Sequence, residues 1–426
     1  MDWELGGEGM TDQINDLFAK ALGIAEPWFV KEVDFDAGKQ EMTIRIDFVR
    51  GARFSHPRAA GEHKVHDTEI KRLRHLNFFQ HRCILEVRLP RVRLPDDGVA
   101  LVEPDWIGKL SGFTLLFEAF VLKLAQHMTF AAVARTVGES WHRVTALCKR
   151  YVDLAIAATD LSQTSSVVID ETSHQRGHKY LTIVADADAR KVVHVSKGAS
   201  AANVAALAQH LRNHNGAADN ITSVAIDMSK GFIKGVTENL PNAVITFDKF
   251  HVVAHASQAV DKMRRIEQRT DPALKGLRWA LLKDRRKLSR EQANDLDRLV
   301  ACFTTKRTAR AWLYREQLRD ILFRKQYHVV STMLRCWCTN VMRSKVGPMK
   351  EVAAMIRSHF EGIVNWTRSR QTSGFIEAIN GLFQAAKRKA RGYTRFDTMR
   401  TVIFLISGKL NFAAFNPHVA YPPKIQ

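Results

Sequence analysis

The segment SSVVIDETSH, residues 165–174, decides the fold class, because an apolar run suited to a buried strand ends directly on Asp170 and Glu171. An acidic stop of this kind has three possible roles: a structural cap, a metal ligand or an acid–base group. The chain that follows alternates between strand-like and helix-like periodicity. Its segments are KYLTIVADAD (179–188), KVVHVSKG (191–198), NVAALAQHLRNH (203–214), SVAID (223–227), GFIKGVTENL (231–240) and NAVITFD (242–248). Three strands in succession, followed by alternating helix and strand, predict an α/β sheet with an antiparallel hairpin edge and then parallel strands.

A second strand-like segment repeats the pattern of the first, since TSVAID, residues 222–227, also ends on a carboxylate, Asp227. If the two strands are neighbours, Asp170 and Asp227 converge at one edge of the sheet. A single aspartate there is more often a turn or cap residue. Converging carboxylates repel unless they share a proton or bind a cation, and oxygen ligands favour Mg²⁺ or Mn²⁺ over zinc. Two such ions support in-line displacement at a phosphodiester.

The composition of the 426-residue chain points to a polyanionic partner. Lys and Arg outnumber Asp and Glu by 64 to 44, and the formal net charge is +20. This balance favours nucleic acid, and a hydrophobic fraction of 46% excludes wholesale disorder. No apolar run reaches the roughly 18 residues of a spanning helix, and the acidic N-terminus is unlike a signal peptide. Five scattered cysteines favour a reducing compartment, so we expect an intracellular protein without a membrane partner.

Residues 128–152, MTFAAVARTVGESWHRVTALCKRYV, have the pattern of a helix-turn-helix. Thr129 is placed to cap a first helix, Gly138 permits a tight turn, and Ser140 is placed to cap a second helix. In this motif the second helix lies in the major groove of DNA. An ordinary helical hairpin with a solvated basic face is the alternative. The candidate DNA-binding residues here are Arg135, Ser140, His142, Arg143, Lys149 and Arg150.

A third carboxylate is expected on a helix in TSGFIEAINGLFQAAKRKARGYTRF, residues 372–396, with Ser373 placed to cap it. One face would hold Glu377 and Asn380 and would continue into basic residues that suit a phosphate backbone. The predicted apolar face consists of Phe375, Ile379, Leu382 and Ala386. The candidate DNA-binding residues of this helix are Lys387, Arg388 and Arg391. A solvated charged face is the alternative.

Several motifs, in a fixed order, resemble the DDE transposases of bacterial insertion sequences, specifically the ISL3 family. They are Asp170-Glu171, GHKYLTIVADAD, AIDMSKGF, LPNAVITFDKFHVVAHASQAVDKMRR, the helix with Glu377 and Asn380, and ARGY. The resemblance implies an RNase H-like catalytic domain interrupted by an all-α insertion. It also implies that Asp170, Asp227 and Glu377 form a triad that binds two Mg²⁺ or Mn²⁺ ions.

The same resemblance implies an activity and a partner. The protein is expected to bind the terminal inverted repeats of its element, to cut strands there and to join them to target DNA. It would act as a homodimer or larger assembly on double-stranded DNA, in the bacterial cytoplasm at the nucleoid. A catalytically inactive, transposase-derived DNA-binding protein is the alternative.

Two further acidic positions adjoin this triad. Glu171 neighbours Asp170 in an extended strand, so only one of them faces the site, and we expect Asp170. Related transposases have a residue pair at the end of the later strand that resembles Asp248 and His251. We assign this pair, together with Asn380, a supporting role.

The N-terminal region departs from the family. Its hairpin-like residues 28–48 and the run ILEVRLPRVRLP, residues 84–95, predict a β-rich module. The prolines confine the second run to a sheet edge or an irregular module. His56, Leu94 and Asp97 stand near the positions where members of the family have zinc-binding cysteines, so a structural zinc is not expected. An alternative site would use scattered histidines: His56, His63, His66, His75 and His81.

These features predict five segments. They are a β-rich module (1–110), the helix-turn-helix (111–160), a first part of the catalytic core (161–255), an α-helical insertion (256–364) and the C-terminal helices of the core (365–426).

Overall fold

The computed structural model describes residues 7–95, 98–108, 110, 112–175, 177, 179–283, 285–303, 306–371 and 374–420. The chain separates into two compact units. Unit 1 comprises residues 1–157 and 410–426, and unit 2 comprises residues 158–409. None of the helices in the described part of the chain is long and apolar enough to cross a membrane.

Unit 1 begins with a helix and a six-stranded sheet. Its elements are α1 (Gly7–Leu22), β1 (Trp28–Asp36), β2 (Glu41–Phe48), β3 (Arg53–His56), β4 (Ala59–Arg74), β5 (Arg82–Arg93) and β6 (Val99–Leu101). The strand order is β1-β2-β5-β4-β3, with β6 paired to β5. The β1–β2 pair is the predicted hairpin, and alternate β2 residues such as Ile44 and Ile46 are buried in the core.

The prediction that prolines place residues 84–95 at an edge is wrong, because β5 lies between β2 and β4. Pairing of β5 with β2 ends at Val87. Pro90 lies three residues beyond this point and pairs with Thr68 of β4, on the other side of β5. The missing N–H of Pro90 therefore falls beyond the end of β2, where that neighbour has no acceptor to satisfy.

Three helices follow the sheet in unit 1: α2 (Leu115–Ala125), α3 (Phe130–Val137) and α4 (Trp141–Ala157). The predicted caps are confirmed. The Thr129 hydroxyl accepts a hydrogen bond from the Ala132 N–H at 3.3 Å, and the Ser140 hydroxyl accepts one from the Arg143 N–H at 3.2 Å. Gly138 has a φ of +68°, the left-handed conformation that lets the chain turn between α3 and α4.

Unit 2 contains the predicted α/β sheet. Its elements are β7 (Ser166–Gln175), β8 (Lys179–Asp186), β9 (Lys191–Lys197), α5 (Ala201–Arg212), β10 (Ser223–Ile226), α6 (Lys230–Asn239) and β11 (Val244–Phe247). The order is β11-β10-β7-β8-β9. Strands β7, β8 and β9 are antiparallel in succession, whereas β10 runs parallel to both β7 and β11. The first and fourth strands are therefore neighbours, as the convergence of the two aspartates requires.

The remainder of unit 2 is helical. Its helices are α7 (Lys249–Glu267), α8 (Arg278–Leu282), α9 (Arg290–Ala301), α10 (Arg307–Phe323), α11 (Tyr327–Arg343), α12 (Gly347–Ser358), α13 (Phe360–Ser369), α14 (Gly374–Lys389) and α15 (Phe396–Ser407). One apolar core runs from Val167 and Ile169 of the sheet to Trp337 and Val364 of these helices. The helical segment therefore packs on the sheet without a break in the core.

The apolar face predicted for α14 is wrong in part. The buried residues are Ile376, Ile379 and Phe383, whereas Leu382 is 55% exposed. The buried face is turned from the predicted one, because polar side chains of α14 also dock against β7 and fix the rotation of the helix. Ser373, the predicted cap, lies outside the described residues.

Candidate active site

Asp170 is the fifth of the ten residues of β7, so the strand continues beyond it to Gln175 instead of ending on it as predicted. Two hydrogen bonds hold its carboxylate. The Asn380 Nδ2 donates to its Oδ2 at 2.7 Å, and the Glu171 N–H donates to its Oδ1 at 2.9 Å. Burial raises the pKa of Asp170 to about 6, although the Glu171 N–H and His251 act in the opposite direction. The carboxylates of Asp227 and Glu377 raise this pKa further by charge repulsion, so both lie near Asp170.

Asp227 directly follows β10, the strand that neighbours β7. Ala225 of β10 pairs with Val168 of β7 in parallel register, so the two aspartates, each two residues further on, lie level on adjacent strands. The Asp227 Oδ1 accepts a hydrogen bond from the Ser229 N–H at 3.0 Å, which orients the carboxylate at the start of α6. The structure therefore brings the two predicted acids together.

Polar side chains of α14 bind the face of β7 that presents Asp170. Gln384 donates to the Thr172 hydroxyl at 2.9 Å, and Thr172 lies two residues from Asp170 on the same side of the strand. Glu377, in the first turn of α14, lies near enough to Asp170 to raise the pKa of that carboxyl. Glu171 alternates to the opposite face. The sequence missed Thr172, although its two-residue spacing from Asp170 was a usable signal.

Asp248 and His251, which were predicted only to support the triad, lie close to Glu377. One ligand atom from each of the three residues lies within 4.8 Å of the others, and this is the one such cluster found among the described residues. Asp248 is buried and caps α7, where its Oδ1 accepts a hydrogen bond from the Phe250 N–H at 2.9 Å. His251 follows in the first turn of that helix. The histidines of unit 1 form no comparable group within the described chain, and Asp97 lies outside it.

The donor set fits a hard divalent cation. The Asn380 Oδ1 is buried and has no hydrogen-bond partner in the described structure, although its Nδ2 is bonded to Asp170. An amide oxygen in this position is an acceptor for a cation or for its water shell. With four carboxylates and one imidazole nearby, oxygen ligands predominate, as Mg²⁺ and Mn²⁺ prefer.

The predicted DNA-binding residues fall into two groups. Several are exposed: Arg135, Ser140, His142, Arg150, Arg388 and Arg391. Others have intramolecular partners. Arg143 pairs with Glu139 at 2.7 Å and stacks on Phe113 at 3.9 Å, and Lys149 pairs with Asp153. Lys387 donates to a backbone oxygen of β7 at 3.3 Å.

Comparison with known proteins identifies the chain. Residues 167–403 match the ISL3 family model of DDE domains, described as a transposase, and residues 102–152 match the helix-turn-helix domain of transposase family ISL3. The chain is 30% identical over 341 residues to the transposase for insertion sequence element IS1001 of Bordetella parapertussis, covering 78% of this chain and 82% of that protein. It is 27% identical over 412 residues to the transposase for insertion sequence element IS1557 of Mycobacterium tuberculosis, covering 88% and 92%. The chain belongs to the ISL3 family of insertion-sequence DDE transposases.

Proposed function

We propose that this transposase cuts and joins the DNA ends of its element at a metal site formed by Asp170, Asp227 and Glu377. The observation that carries the proposal is the level placement of the two aspartates on adjacent parallel strands. The Asn380–Asp170 hydrogen bond supports it, because it attaches the helix that carries Glu377 to the same strand.

The sheet order supports an RNase H-like catalytic domain for residues 161–255 and 365–409, interrupted by an all-α insertion at residues 256–364. Residues 410–426, which the sequence assigned to this core, belong to unit 1. Three antiparallel strands followed by two parallel ones, with Asp170 on the first and Asp227 at the end of the fourth, agree with that assignment. Residues 1–110 and 111–160 would then form the β-rich module and the DNA-reading helix-turn-helix. The insertion would help to assemble the protein on DNA.

Asp170, Asp227 and Glu377 would hold two Mg²⁺ or Mn²⁺ ions, with Asp248 and His251 beside Glu377. When bound, such ions compensate the charge of the phosphate and lower the pKa of the attacking oxygen nucleophile. The chain itself fixes the geometry. The strand holds Asp170 rigidly, Asn380 sets the orientation of its carboxylate, and the α7 N-terminus holds Asp248.

Cleavage and joining require the same displacement at phosphorus. In cleavage, water forms the new P–O bond and a 3′ hydroxyl leaves. In joining, that 3′ hydroxyl forms the new P–O bond in target DNA and another 3′ hydroxyl leaves. One site therefore serves both steps. The exposed cations Arg135, Arg150, Arg388 and Arg391 would contact phosphates, and two ends would be paired by a homodimer or larger assembly at the nucleoid.

The test incubates the purified full-length protein with a duplex carrying the ends of its element, a second duplex as target, and Mg²⁺. We expect Asp170→Asn and Asp227→Asn to lose cleavage by more than about a hundredfold, since each removes a ligand charge, while end binding is retained. Asp188→Asn is the matched control, because Asp188 is an exposed turn residue of the same unit.

Three outcomes distinguish the alternatives. Wild-type protein that binds ends but neither nicks nor joins them would establish the inactive DNA-binding alternative. Cleavage without joining would indicate a nuclease. Equal activity of the Asp170→Asn and Asp188→Asn variants would show that the catalytic groups lie elsewhere.

A further inference from the structure

A two-residue turn in unit 1 carries the most exposed large apolar side chain found in the described chain. Two reciprocal backbone hydrogen bonds close it, from Phe78 N–H to His81 O at 3.0 Å and from His81 N–H to Phe78 O at 2.9 Å. Phe79 and Gln80 lie between them, and Phe79 is 80% exposed. The Phe79 ring lies against Phe78 at 4.6 Å, and the Phe78 ring packs on Phe18 at 5.4 Å. One side of the Phe79 ring is thus supported by Phe78, and the rest of the ring is exposed to solvent.

The backbone of Phe79 is strained. Its φ is +52°, in the left-handed region that bulky L residues rarely adopt. Tight hairpin turns that need a positive φ at the first central position usually have glycine there. A phenylalanine in this position costs stability, and its exposed ring gains little from burial. A role outside folding therefore explains the residue better than the fold does.

The turn is anchored to the helix-turn-helix by a charged side chain on either side of it. Arg74, which precedes the turn, is buried and donates to the Val137 carbonyl at the end of α3 at 3.4 Å. Arg82, which follows the turn, pairs with Glu139 at 3.5 Å. Glu139 also pairs with Arg143 of α4 at 2.7 Å. The turn and the N-terminus of α4 are thus held by one network.

The anchor points lie at the end of α4 that faces DNA in this motif. Glu139 directly precedes Ser140, which caps α4, and the N-terminal residues of the second helix contact base edges in the major groove. Trp141 and His142, at the same end, are exposed. A duplex bound along α4 therefore passes beside the turn that carries Phe79.

We propose that Phe79 inserts its ring between neighbouring base pairs of the DNA, beside the site read by α4. Apolar side chains of this kind unstack a base step and kink the duplex, and a rigid exposed ring meets that demand with little loss of side-chain freedom. The turn adjoins the end of α4 that reads DNA in this motif, where Trp141 and His142 are exposed, and this position favours DNA over a protein partner as the occupant. The inference requires DNA binding by the helix-turn-helix and is independent of the metal site.

The experiment uses the full-length protein, without divalent metal, and a duplex selected from a random-sequence library for tight binding. Affinity is measured by fluorescence anisotropy. Duplexes with 2-aminopurine at successive positions report unstacking. Phe79→Gly should lower affinity about five- to tenfold, the equivalent of one lost stacked base, and abolish a local rise in 2-aminopurine emission. Phe79→Trp should keep both.

Stability separates insertion from a structural role. Because glycine relieves the positive φ, Phe79→Gly should keep or raise the thermal midpoint while DNA binding weakens. Ile70→Ala, which truncates another exposed apolar side chain of unit 1, should change neither. Wild-type affinity and emission in Phe79→Gly would overturn the proposal. A change in molecular mass by light scattering with unaltered DNA binding would also overturn it and would assign the ring to self-association.

Discussion

Each of the two units contains a carboxylate withdrawn from solvent, fully in unit 1 and partly in unit 2, and the two carboxylates have different surroundings. In unit 1, Glu118 is fully buried, and it accepts hydrogen bonds from the Leu110 N–H at 2.7 Å and the Tyr151 hydroxyl at 2.5 Å. In unit 2, Asp170 also accepts two hydrogen bonds, but like charges lie near it, and the Asn380 amide that binds it has an unpaired oxygen.

The difference shows which buried acids are structural. Burial of a carboxylate with matched donors stabilises a fold, and the network around Glu118 extends to Asn416, whose Nδ2 donates to the Tyr151 hydroxyl at 3.1 Å. Burial beside other carboxylates and an unpaired acceptor costs stability in the absence of a cation. The second arrangement is therefore the one that indicates a site.

The largest expected effect on stability comes from Glu118. Glu118→Ala leaves the Tyr151 hydroxyl and the Leu110 N–H without their acceptor, so we expect the free energy of unfolding to fall by about 3 kcal/mol. Asp170→Ala removes a repelled charge and should change it by less than about 1 kcal/mol. Urea unfolding of the full-length variants, followed by circular dichroism, measures both. Equal losses in the two variants would break the comparison.

A histidine cluster in unit 2 tests whether an unpaired buried nitrogen is enough to indicate a ligand site. The rings of His194 and His210 lie 5.0 Å apart, those of His210 and His214 lie 4.1 Å apart, and the His194 Nε2 is unpaired within the described structure. Burial lowers the pKa of His194 to about 4 and that of His210 to about 3, and the nearby Arg400 and the other rings act in the same direction. This positive surrounding disfavours a metal and favours neutral imidazoles.

The cluster should therefore make unit 2 sensitive to acid. Because the folded-state pKa values lie below the ordinary 6.5, the stabilising contribution is present above pH 6.5 and is lost as pH falls toward 4. We expect a loss of about 2 kcal/mol between pH 7 and pH 5, after allowance for partial exposure. Unfolding midpoints of wild type and His210→Gln across this range measure it. A wild-type slope no steeper than that of His210→Gln would contradict the prediction.

The sequence predicted those parts of the fold that depend on neighbouring residues. The caps Thr129 and Ser140 and the turn at Gly138 follow from local backbone chemistry, and all three are present. The apolar runs before Asp170 and Asp227 are strands, as predicted, because an apolar run of strand length limits where its following carboxylate can lie. The predicted end was correct only for Asp227, since β7 continues past Asp170 to Gln175.

Features that depend on distant partners were not predictable in the same way. The rotation of α14 follows from its docking on β7, so the local pattern wrongly placed Leu382 on the buried face. The presence of Pro90 in β5, a strand that lies between two others, is possible only because β2 ends before it. The close approach of Asp248 and His251 to Glu377 joins helices far apart in the chain, and no spacing in the sequence expresses it.

The smallest predicted effect tests whether the unpaired amide oxygen of Asn380 takes part in metal binding. Mg²⁺ at tenfold above its dissociation constant should stabilise the wild-type protein by about 1.4 kcal/mol, since it binds only the folded site. Asn380→Leu should lose at least half of this gain, because the amide that orients Asp170 and offers a free oxygen is removed. The thermal midpoint with and without Mg²⁺, in the absence of DNA, measures the difference.

Gln384→Leu is the matched control for Asn380→Leu. Gln384 lies one turn further along the same face of α14, but its amide binds Thr172 rather than an acid. Both variants lose one anchor to β7, so a general loosening of α14 would reduce the Mg²⁺ effect equally in both. A gain retained in Gln384→Leu and lost in Asn380→Leu would locate the cation beside Asp170. Equal gains in both variants would show that the unpaired oxygen of Asn380 has no part in metal binding, and the contrast with Glu118 would then rest on charge repulsion alone.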